Sequence, residues 1–213
     1  MVMKGQFLER PTLIQLRQGL VLEGVAHRGE RRPGVLVLPP TPAEGSGMDH
    51  VVGAEVAFAV ARAGHPCLRF NYRGVGASQG RPSPAPEALL EDALAAWELA
   101  RDNADGEVPL AVSLGASDRV ALALWARVGL AGLALLHPTC APEDVAPTST
   151  APLAVVLPEL DGPARRAAWA HRLDEGALTV VRGADRSYHC NLPEVGRAVV
   201  ALLQQVGAST GAV

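Results

Sequence analysis

Ala111-Val112-Ser113-Leu114-Gly115 is the stretch that decides the fold of this chain. It joins a short apolar run, Val108-Pro109-Leu110-Ala111-Val112, to a run of helical length, Ala116 to Val128. The first run is bounded by the turn signal Asp105-Gly106, and the second spaces Val120, Leu122, Leu124 and Val128 among alanines. A serine held at a sharp strand-to-helix turn has the form of a nucleophile elbow. Strand and helix backbones nearly touch at such a turn, so small residues are needed two before and two after the serine. Ala111 and Gly115 meet that need, which places Ser113 at the turn and gives a near match to G-x-S-x-G.

The rest of the chain supplies strands and helices in alternation. Thr12–Leu16 and Leu20–Val25 read as an antiparallel hairpin turning at Gln18-Gly19. Pro33–Pro39 is a buried strand bounded by prolines, Val51–Ala63 a helix apolar all round, and Cys67–Tyr72 the next strand. Ala85–Arg101 is the clearest amphipathic helix, with Leu89, Leu90, Ala93, Leu94 and Trp97 on one stripe. After Ser113 come strands Leu130–Leu136, Ala154–Leu157 and Leu178–Val181, with helices Ala164–Leu173 and Pro193–Val206. This order predicts one α/β domain over residues 1–213: a mostly parallel sheet, antiparallel at its N-terminal edge, with helices on both faces. The proline-rich loops Pro39–Pro42, Pro82–Pro86 and Pro138–Pro152 are connections too short for a lid domain.

Composition narrows the function classes. At 213 residues the chain can bury a large core, and its aromatics are few (Phe 3, Trp 3, Tyr 2), so Leu, Val and Ala must fill it. A net charge of −3, with Lys4 the only lysine, gives no footprint for nucleic acid. No apolar stretch reaches the roughly 20 residues of a spanning helix, and the first ten residues lack a leader's apolar core. A cytoplasmic protein without membrane partners is therefore expected. Cys67, Cys140 and Cys190 are widely spaced, form no C-x-x-C, and read as buried free thiols. No His, Cys or carboxylate pair has metal-ligand spacing, so neither a metal nor a cofactor is expected. Gly74-Val75-Gly76-Ala77-Ser78-Gln79-Gly80 places its third glycine one position too late for a dinucleotide loop, and Arg81-Pro82 follows where a helix would be needed.

That glycine segment, extended to Leu68-Arg69-Phe70-Asn71-Tyr72-Arg73-Gly74-Val75-Gly76-Ala77-Ser78, resembles a strand and Arg-Gly-x-Gly-x-Ser loop of the α/β-hydrolase superfamily. Met48-Asp49, the helix with Asp92 and Trp97, and Ser113 follow in the same order, so the resemblance spans nearly the whole chain. It is similar in particular to small, cap-less bacterial hydrolases related to dienelactone hydrolases and carboxylesterases. The resemblance implies a Ser113 nucleophile, Asp161 as the triad acid, and a histidine after the final strand. Asp185 and Asp174 are alternative acids. Relatives carry the histidine directly after an Ala-Asp or Ala-Gly pair, where this chain has Arg186, and His189 stands three residues later. Arginine stays protonated and cannot act as a base. The base is therefore His189, His137 or absent. His27, His50, His65 and His171 read as structural.

The oxyanion site implied by the resemblance uses the Leu114 amide and a second amide from the loop Pro39-Pro40-Thr41-Pro42-Ala43-Glu44-Gly45. Relatives have His-Pro-His-Pro there, whereas the prolines of this chain leave Thr41 or Ala43 as donor. Two functions follow. The first is hydrolysis of small carboxylic esters or thioesters through an acyl-enzyme at Ser113, in an open cleft. The second is a catalytically degenerate protein of this fold that binds a ligand or partner, with Arg186 recognising a carboxylate or phosphate. An exposed edge strand leaves room for a homodimer.

Overall fold

Eight strands form one sheet in the computed structural model, which describes residues 8–145 and 151–210. Residues 1–7, most of the N-terminal stretch, and the middle of the Pro138–Pro152 connection lie outside the described residues. The strands are β1 (Arg10–Gln15), β2 (Val21–His27), β3 (Val35–Leu38), β4 (Cys67–Phe70), β5 (Leu110–Leu114), β6 (Leu133–Leu136), β7 (Leu153–Pro158) and β8 (Leu178–Val181). Their spatial order is β1-β2-β4-β3-β5-β6-β7-β8, antiparallel in β1–β2 and β2–β4 and parallel thereafter. This is the mixed sheet expected from the sequence.

The parallel strands are apolar on both faces because helices cover both. Helices α1 (Val51–Arg62) and α5 (Pro193–Thr210) pack Val52, Val56, Val60, Val199 and Leu202 onto Val35, Val37, Val112 and Leu114. On the other face lie α2 (Pro86–Asp102), α3 (Asp118–Val128) and α4 (Pro163–Arg172). These bring Leu89, Trp97, Leu124 and Trp169 against Leu36, Leu38, Phe70, Ala111 and Leu135. Each fully buried Leu or Val side chain contributes roughly 1.5–3 kcal/mol. Trp169 is the one buried residue of α4, a helix otherwise rich in Arg and Ala.

One feature of the order fixes where a site can form. From β3 the sheet extends through β4 in one direction and through β5 in the other. In open parallel sheets the crevice lies beyond the carboxyl ends of the strands at that reversal. The loop after β3 and the turn after β5 therefore meet, and the ends of β6, β7 and β8 lie along the same rim.

The most consequential departure from expectation is the end of β5. It runs to Leu114, two residues past the expected stop. Ser113 pairs with Leu38 and Leu135, and Leu114 with Leu136. The alternation explains the extension. Leu110, Val112 and Leu114 all enter the core under α1 and α5, so the run stays strand-like through Leu114. A short 3-10 turn, Gly115–Ser117, then leads into α3.

Candidate active site

The sharp turn after β5 is made by Gly115, at φ +56°. In this left-handed region an L side chain meets the following carbonyl, and glycine alone enters freely. Ser113, expected at this turn, instead lies inside the strand, 1% exposed, and its Oγ has no hydrogen-bond partner. The small residues flanking the turn are Ser113 and Ser117, two before and two after Gly115. Ser117 donates to the Pro39 carbonyl and meets the Tyr72 hydroxyl at 3.1 Å, which fastens the loop after β3 to the turn.

The loop delivers Glu44 to the place where a side chain at position 115 would stand. A Cβ built on Gly115 would lie 2.4 Å from Glu44 Oε1 and 3.3 Å from His137 Nε2. Glu44 Oε1 accepts from the Ala116 amide at 3.3 Å, while Oε2 accepts from the Thr41 amide at 2.8 Å and the Thr41 hydroxyl at 3.0 Å. The amide that follows the turn residue is thus that of Ala116. Leu114, expected to supply it, is buried in the ladder of β5 and β6. Thr41 does present its amide to this point, whereas Ala43 lies exposed with no bond into it.

His137 ends β6 in a left-handed conformation, φ +39°, with its ring 5.8 Å from that of Tyr188. Burial pushes its pKa down to about 4, partly offset by the nearby Glu44 carboxylate. The imidazole is therefore neutral at pH 7. Its Nδ1 is buried without a partner. Of the two predicted bases, His137 is the one that the fold brings to the turn.

Asp161, on the short turn that follows β7, has a side chain only 7% exposed. Arg186 Nε donates to its Oδ1 at 3.0 Å, and Arg165 Nε approaches Oδ2 at 3.5 Å. Arg165 also donates to the Pro138 carbonyl. The loops after β7 and β8 are joined by Gly183 N–H to Glu159 at 2.9 Å and Leu160 N–H to the Ala184 carbonyl at 3.0 Å. Asp161 is thus set against an arginine. The side chain of Arg186 is 71% exposed and its guanidinium reaches the surface.

His189 is exposed and close to Asp185, whose carboxyl is held below the usual range by the Ser187 hydroxyl and amide and, to a smaller extent, by His189. No hydrogen bond joins His189 to Asp161 or Ser113 among the described residues, and the predicted Ser113-His189-Asp161 set is not assembled. Asp174 makes no side-chain bond into the site. Cys67 and Cys140 are buried as expected, but Cys190, expected to be buried, is exposed. His50 caps α1, His65 Nδ1 meets the Pro33 carbonyl at 2.8 Å, and His27 is buried. No metal cluster and no helix apolar and long enough to cross a membrane occur among the described residues. A groove of about 390 Å³ on the β1–β2 hairpin, lined by Leu13, Val21, Glu23, Val25 and Gln79, contains none of these groups.

No family model matches the sequence, and no curated protein does. Solved structures do align. An α/β serine hydrolase homologue from Coxiella burnetii is 21% identical with a TM-score of 0.75, over 92% of this chain and 96% of that one. An α/β serine hydrolase without a lid from Xanthomonas campestris is 21% identical with a TM-score of 0.73, over 93% and 95%. Est1E from Butyrivibrio proteoclasticus, solved with ferulic acid bound, is 15% identical with a TM-score of 0.76, over 92% and 99%. At these identities the likeness shows the fold.

Proposed function

We propose, starting from a chain that has the α/β-hydrolase fold, that it binds a ligand or partner in a remodelled cleft and forms no acyl-enzyme. The observation that carries this reading is Gly115 at the turn after β5, with the Glu44 carboxylate filling the space of the missing side chain. Serine chemistry needs a hydroxyl at that turn, an adjacent base and a free oxyanion site. Here the turn residue has no hydroxyl, and the Ala116 and Thr41 amides already hold a carboxylate. The arginine paired with Asp161 cannot take a proton. A histidine with a pKa near 4 is a weak base near neutral pH.

Arg186 suggests the ligand chemistry. Its Nε is committed to Asp161, while the rest of the exposed guanidinium is open to solvent near His137, placed to meet a carboxylate or phosphate. Hydrolysis of small esters or thioesters through Ser113 would require that hydroxyl to leave the interior of β5. Exposure to a fluorophosphonate probe from pH 6 to 9 tests the choice. No labelling is expected; labelling that disappears in Ser113→Ala overturns the reading.

A further inference from the structure

The Glu44 side chain does more than close its own turn. Capping the 3-10 turn Pro42–Glu44 needs only the bond between Thr41 N–H and Glu44 Oε2. The other oxygen reaches Ala116, 72 residues away in sequence, and rests in room that exists only because position 115 has no side chain. Two amides from separate segments, Thr41 and Ala116, and the Thr41 hydroxyl converge on one carboxylate, which is the donor arrangement that holds an anion. Glu44 is itself exposed, so its side chain can swing to solvent without crossing the core. The other carboxylate of the site, Asp161, already faces Arg186 and Arg165 and leaves no unpaired negative charge to repel an incoming anion.

We infer that Glu44 is a tethered anion that keeps the pocket between Thr41 and Ala116 shut, and that a small carboxylate enters that pocket when the side chain swings out. This rests on the proposed binding role of the cleft and adds its control: the natural ligand competes with an internal carboxylate. Titration of ¹⁵N-labelled protein with sodium butyrate, followed by the amide signals of Thr41 and Ala116, tests it. Glu44→Ala is expected to show saturable shifts at both amides, with butyrate bound at least about tenfold more tightly than by the wild-type chain. Glu44→Ser serves the same test if the alanine variant fails to fold. Equal affinity in wild type and variant would show that nothing is plugged. Absence of saturable shifts at these amides in a folded variant would show that there is no carboxylate pocket. Fluorophosphonate labelling of wild type would overturn the binding role and leave the butyrate titration to be judged separately.

Discussion

Gly115→Ala should destabilise the protein, and a definable part of that loss should depend on Glu44. Holding an L residue at φ +56° costs about 1–2 kcal/mol. The new Cβ would stand 2.4 Å from Glu44 Oε1, well inside contact distance, and the flexible side chain would yield. That movement loses the bond from the Ala116 amide, about 1 kcal/mol for a partly solvated hydrogen bond. The sum is about 2–3 kcal/mol, or a fall in Tm of about 4–12 °C for a domain of this size. In Glu44→Ala there is no carboxylate to displace, and Gly115→Ala should cost only the conformational share. Urea unfolding of the four proteins at pH 7 closes the cycle, with an expected coupling of about 1 kcal/mol. Equal costs of Gly115→Ala in both backgrounds would refute the contact between Glu44 and the turn.

Ser113→Ala should leave stability unchanged or raise it by about 1 kcal/mol, since it removes a buried hydroxyl with no partner; a loss above about 1 kcal/mol in urea unfolding would mean that Oγ is bonded. His137 gives a pH signature. Its folded pKa of about 4 lies below its ordinary 6.5, so the unfolded chain takes up this proton first as the pH falls. The stability that depends on a neutral imidazole is fully present above about pH 6.5 and is lost between there and pH 4. His137→Gln should therefore lose less stability than wild type between pH 7 and 4.5, and an imidazole NMR midpoint near 6.5 in the wild type would contradict the burial. Burial pushes the Cys67 and Cys140 thiols up to about 12, whereas Cys190 is exposed. A thiol reagent at pH 8 should modify one cysteine quickly, and peptide mapping should find it at position 190.

The sheet was legible because its signals are cumulative. Apolar runs bounded by Pro and Gly, a hairpin at Gln18-Gly19 and amphipathic helices between them each point to the same layered architecture. The register of the candidate site was not, because it turns on two residues. Leu114 continues the apolar alternation of Leu110 and Val112 and carries the strand past Ser113, which a serine-centred motif obscures. A signal was available: Ser113 and Ser117 are the small residues spaced symmetrically about Gly115, the residue that takes the turn's positive φ without strain. Arg186 was visible as a departure, and the structure adds its pairing with Asp161. Glu44 left no trace at the sequence level beyond a loop position, because its role arises from a contact between segments 72 residues apart.

Intact-mass measurement after fluorophosphonate treatment, run on wild type beside the triple variant Gly115→Ser, Glu44→Ala, Arg186→His, tests most directly whether the turn lacks a nucleophile. The wild-type chain should remain unmodified, while the variant, given a hydroxyl, a vacated amide pocket and an imidazole beside Asp161, should gain one adduct that maps to position 115. A wild-type adduct on Ser113 would contradict the assignment of Gly115 to the turn.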